Sequence, residues 1–128
     1  MTYQEKKLED WNVTDFHKYM GDKHKEMFGI AYQPYINWGA EKGQLGTFVG
    51  TARKKGEVSK EVAKRFIDII FEEHKPTPRY PGVSFGSNYS HRKYLIQRAE
   101  MEVFQEKKKA EKREETNNVD YNSLSNLL

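Results

Sequence analysis

SKEVAKRFIDIIFEEHK, residues 59–75, decides the fold. Val62, Phe66, Ile69 and Ile70 recur at the spacing that places side chains on one face of a helix, and Ile67 and Phe71 widen the apolar stripe. Ser59 is a capping residue, because its hydroxyl can accept from a free backbone N–H of the first turn, and Val58 stands before it as a hydrophobic staple. A helix with so broad an apolar face needs other elements around it and is expected to form the centre of the core.

Upstream, Thr14 can cap a helix running through DFHKYMGDKHKEMF (15–28), with Val13 as staple and Gly29 as stop. Phe16, Tyr19, Met20, Met27 and Phe28 supply its buried face. A second helical region starts near Pro34 and carries Tyr35, Ile36, Trp38, Leu45, Phe48 and Val49. Gly39, Gly43, Gly46 and Gly50 either line one stripe of a continuous helix or break it. Because each glycine costs roughly 1 kcal/mol against alanine, two shorter helices parted near Gly43 are expected.

Downstream, Pro76, Pro78, Pro81 and Gly82 mark PTPRYPGVSFGSNY (76–89) as an ordered loop or short hairpin. A last helix is expected from about Ser90, with Tyr94, Leu95, Met101 and Phe104, before the chain becomes wholly charged at EKKKAEKREE (106–115). That extension has almost nothing to bury, so it is a solvated helix end or disordered. The expected architecture is all-α, a bundle of four or five helices over residues 11–105, with a flexible segment at 1–10 and a charged extension and disordered tail at 106–128.

Composition bounds the function. The chain has 128 residues, enough for one domain, and 17 aromatic side chains (7 Phe, 8 Tyr, 2 Trp) compensate for a hydrophobic share of only 36%. It has no cysteine, which removes disulfides, thiolate metal sites and a cysteine nucleophile. No apolar run approaches a membrane span, and a cytoplasmic location without membrane contact is expected.

Catalytic signatures are sparse. Asp68 and Glu72 stand one turn apart, an arrangement read as surface carboxylates paired with Lys64 or Arg65. Histidines 17, 24, 74 and 91 lack the spacing of a zinc site. GAEKGQLGTFVG (39–50) fits neither GxxxxGK[ST] nor a strand-led GxGxxG, so its glycines are read as packing and turn residues. The expectation is a protein that is not an enzyme, with no cofactor and no metal.

Charge distribution carries the binding hypothesis. The net charge is only +3, but Arg53, Lys54, Lys55, Lys60, Lys64 and Arg65 put six cations in thirteen residues against Glu57 and Glu61. Arg53, Lys54 and Lys55 are expected at the end of one helix and Lys60 and Lys64 on the first turns of the next, where cations and free N–H groups meet phosphates. In RYPGVSFGSNYSHRKY (79–94), Arg79, His91, Arg92 and Lys93 interleave with Tyr80, Phe85, Tyr89 and Tyr94. Rings that stack on bases and cations that meet the backbone are the mixture that holds single-stranded nucleic acid. Nucleic acid, single- or double-stranded, is thus the expected partner, with Arg53, Lys54, Lys55, Lys60, Lys64, Arg79, Tyr80, Arg92 and Lys93 as its binding residues.

WNVTDFHKYM (11–20), KRFIDIIFEE (64–73) and TPRYPGVSFG (77–86) resemble, across residues 11–104, small phage-encoded DNA replication accessory proteins of the helicase-loader or replisome-organiser type. The resemblance implies a non-enzymatic role in phage DNA replication or its control, with a helical body on DNA and a terminus on a replication protein. Val119, Tyr121, Leu124, Leu127 and Leu128 would line one face of that terminus. The rival expectation is a protein-interaction adaptor or inhibitor of a host enzyme, acting through the Tyr80–Phe85 loop or the tail.

Overall fold

The computed structural model describes residues 2–127, with side chains described for 2–116. Five α-helices follow in order: α1 (Val13–Phe28), α2 (Trp38–Val49), α3 (Lys60–Glu73), α4 (Phe85–His91) and α5 (Tyr94–Leu127). The protein is all-α, and the β-type pairing among the described residues is an isolated bridge between Gly50 and Lys55. The side chains of the expected partner-binding face, Val119, Tyr121, Leu124, Leu127 and Leu128, lie outside those described.

Helices α1 to α4 each start at a polar side-chain cap. At α1 the cap is Asn12 and not Thr14: Asn12 Oδ1 accepts from the Asp15 N–H at 2.9 Å, and Asp15 Oδ2 accepts from the Asn12 N–H at 3.0 Å. This reciprocal pair satisfies two orphan donors, which a lone threonine cannot do. Gly29 ends α1 in the left-handed region (φ 74°), its N–H donating to the Lys25 carbonyl. Ser59 caps α3, as its sequence implies.

Helix α2 departs from expectation. Asn37 caps it, three residues after Pro34, and it runs unbroken through Gly39, Gly43 and Gly46 to stop at Gly50. Leu45, Phe48 and Val49 are buried along it, and burying such side chains is worth about 1.5–3 kcal/mol each, which outweighs the glycine cost. A second departure is α4. Ser84 caps it, and burial of Phe85 and Tyr89 holds FGSNYSH in a helix despite its poor propensity, so the proline-rich loop ends at Ser84 and not at Tyr89. The last helix therefore begins at Tyr94, not Ser90.

The core is arranged around α3. Its Phe66, Ile67, Ile69, Ile70 and Phe71 are fully buried, and α3 packs along α5 while also touching α1, α2 and α4. Phe16 and Met20 reach in from α1, Leu45 and Phe48 from α2, Phe85 from α4, and Leu95 and Ala99 from α5. Residues 2–10, expected to be loose, form two short 3-10 turns clasped to the body. The Tyr3 ring meets Trp11 and Tyr19 edge-on, the Trp11 indole N–H donates to the Tyr3 carbonyl at 3.0 Å, and Lys6 pairs with Asp15 at 2.9 Å.

Candidate nucleic-acid interface

The basic stretch after α2 folds as a tight turn. Gly50 takes φ 92°, Thr51 and Lys54 exchange backbone hydrogen bonds at 2.8 and 3.3 Å, and the Glu57 and Val58 N–H groups donate back to the Thr47 and Phe48 carbonyls. Gly56 lies so close to the end of α2 that a Cβ there would stand 2.4 Å from the Val49 carbonyl carbon. Arg53, Lys54 and Lys55 thus sit beyond the helix end, on a turn held at both sides. All three are exposed and none forms an ion pair with a described residue.

The carboxylates that balance this run in the sequence are engaged elsewhere. Glu57 accepts from the Tyr89 hydroxyl, and Glu61 pairs with Lys107 at 3.5 Å. Burial and the Glu57 hydrogen bond push Tyr89 up to about 12, which keeps that hydroxyl a donor. Two of the five expected phosphate contacts are committed within the protein. The Lys60 ammonium donates to the Glu9 carbonyl at 3.0 Å, and Lys64 pairs with Asp68 at 3.1 Å while lying over the Tyr19 ring.

The second basic element lies at the other end of α3. Arg79 packs its guanidinium 5.4 Å from the centre of the Tyr80 ring, and that ring is 59% exposed. Arg92 is occupied by Glu73 at 2.7 Å, and Lys93 lies over Tyr89. Phe85 and Tyr89 belong to the core, so among the interleaved rings Tyr80 and Tyr94 face solvent. The Tyr80–Phe85 loop likewise offers Tyr80 as its exposed ring, Val83 and Phe85 being buried.

Two features escape the sequence reading. One is a cleft between residues 30–35 and 79–88, with exposed Ile30, Tyr35 and Tyr80 on its walls, Arg79 and His74 at its edge, and no carboxylate in its lining. His24 builds its floor. The His24 Nδ1–H donates to the Ile30 carbonyl at 2.9 Å and Nε2 accepts from the Val83 N–H at 3.1 Å. A backbone donor on one nitrogen and a carbonyl on the other fix the tautomer. A Cβ at Gly82 would lie 2.5 Å from Nε2, so glycine is required there. Paired Pro-Tyr and Pro-Gly steps at 34–35 and 81–82 are its faint trace in the sequence.

The other is a buried carboxylate. Glu41, fully inaccessible, accepts from the Tyr32 hydroxyl, from His17 Nε2–H at 3.2 Å and from the Tyr35 N–H at 2.9 Å, while Tyr32 in turn accepts from the Phe85 N–H. Burial raises the Glu41 pKa, but the three donors outweigh it and hold the carboxyl below the usual range. Sealed from solvent, this network joins α1, α2, α4 and the 30–37 segment. Asp68 and Glu72 sit in surface pairs, with Lys23 and Lys64 and with Arg65.

Among the described residues no group of three or more His, Asp or Glu is placed to hold a metal ion, and no helix is long and apolar enough to cross a membrane. No protein-family model, curated protein or solved structure matches this chain.

Proposed function

We propose that this protein is a non-enzymatic DNA-binding accessory protein that acts in phage DNA replication or its control. The observation that carries DNA binding is the Thr51–Lys55 turn: three adjacent exposed cations without carboxylate partners, on a backbone fixed by Gly50 and Gly56. Cations held rigidly and unpaired lose little on meeting a phosphate, whereas paired ones must first give up their carboxylate. The replication role rests on the resemblance over residues 11–104.

The test is fluorescence anisotropy of labelled single- and double-stranded DNA at low and near-physiological salt. Binding is expected to weaken steeply with salt, and Arg53→Ala/Lys54→Ala/Lys55→Ala to lower the slope of log K against log salt by about 2–3, with equal losses at all sequences. An unchanged slope would remove the turn from the interface, and absence of binding at low salt would remove DNA as the partner.

A second reading is a protein adaptor, favoured by the outer face of α5, where Tyr94, Met101 and Phe104 are each more than half exposed. Such a face fits a partner helix, and binding through it would change little with salt.

A further inference from the structure

The carboxylate-free cleft points to a class of ligand narrower than DNA in general. We infer that the cleft between residues 30–35 and 79–88 receives an unpaired nucleobase, so that this protein selects single-stranded over duplex DNA. This rests on the DNA-binding reading and adds to it a site and a strand preference. A base is flat and apolar on its faces, polar on its edges, and joined to an anion. The cleft offers a match for each part. Tyr35 and Tyr80 present rings that are 43% and 59% exposed, although burying an aromatic ring is among the larger gains available to a fold. Gln33 and Ser87 add polar side chains with no hydrogen-bond partner among the described residues, suited to a base edge. Arg79 stands over the Tyr80 ring at the edge, where a guanidinium can meet the attached phosphate.

Charge favours this occupant over a cationic one. No Asp or Glu lines the cleft, and the exposed positions of α2, which leads from it to the basic turn, include none. Helix α2 spans that distance, and its exposed positions are Trp38, Gly39, Lys42, Gly43 and Thr47; its one carboxylate, Glu41, is buried. A Cβ at Gly43 would meet nothing within 4 Å, so this glycine is not there to admit a neighbouring part of the fold. A base inside a duplex cannot enter the cleft, because its faces are already covered by its neighbours in the stack.

The experiment uses full-length protein and oligonucleotides carrying 2-aminopurine, whose emission falls when it stacks on a ring. Single-stranded probe should bind with quenching, and duplex of the same sequence should bind more weakly without it. Tyr80→Ala should weaken single-strand binding by roughly 5- to 100-fold and abolish quenching, with duplex binding unchanged, whereas Tyr80→Phe should behave as the parent. Tyr35→Ala is the second variant, on the opposite wall. If the Arg53/Lys54/Lys55 triple variant loses DNA while Tyr80→Ala and Tyr35→Ala bind and quench as the parent, the cleft assignment is wrong and the DNA-binding reading stands. If no DNA binds to the parent at low salt, both fall together.

Discussion

At the scale of single residues, the most consequential side chain is one that no functional motif marks. Glu41 gathers three donors that lie 24, 9 and 6 residues away in the chain, so nothing local in the sequence announces it. Glu41→Ala would leave the Tyr32 hydroxyl and the His17 ring buried without an acceptor and the Tyr35 N–H unpaired, and is expected to cost about 3–5 kcal/mol in urea unfolding. The same carboxyl predicts a pH dependence. Its pKa is held below the ordinary 4.5 in the fold, as is that of Asp15 relative to 3.8, where burial is outweighed by the Asn12 N–H and Lys6. Both contributions are complete above the unfolded values and are lost as pH falls through the lower, folded ones. Stability should therefore be flat for these groups from pH 7 to about 5 and decline below about 4.5. Glu41→Gln should flatten that decline, measured as unfolding midpoint against pH.

At the scale of elements, what was legible was what apolar periodicity alone decides. Helix α3 and its Ser59 cap follow directly from residues 59–75, and five helices in an all-α arrangement agree with the pattern. The continuity of α2 was not legible, because propensity charges for Gly39, Gly43 and Gly46 while the compensating burial of Leu45, Phe48 and Val49 is tertiary. Helix α4 was hidden for the same reason, its Gly, Ser and Asn favouring turns until Phe85 finds the core. Of the nine expected DNA contacts, Arg53, Lys54, Lys55, Arg79 and Tyr80 stay open, whereas Lys60, Lys64 and Arg92 are drawn off by partners distant in sequence or one turn away, and Lys93 lies over the Tyr89 ring. The glycines separate by role in a measurable way. Gly43→Ala fills open space in a helix and should raise stability by about 1 kcal/mol. Gly56→Ala drives a methyl into the Val49 backbone and should lower it by about 1–3 kcal/mol while disordering the basic turn, both read from urea midpoints.

At the scale of the whole molecule, α3 acts as the spacer between the two open basic elements: fourteen residues at about 1.5 Å each set the turn and the cleft roughly 21 Å apart along its axis. At the roughly 3.4 Å per nucleotide of a stacked strand about six nucleotides cover that distance, and an extended strand covers it with fewer. Affinity for single strands should climb with length to about that size and then level off, a dependence that anisotropy with a ladder of oligonucleotides would trace. The two tryptophans stand in opposite situations. Trp11 is 6% exposed, with its indole N–H taken by the Tyr3 carbonyl, and Trp38 is 47% exposed at the start of α2. An aqueous quencher such as iodide should extinguish the long-wavelength emission of Trp38 and spare the bluer light of Trp11. An unlabelled sample then carries two optical reporters, one for the clasp of the N-terminal segment and one for whatever arrives at the surface of α2.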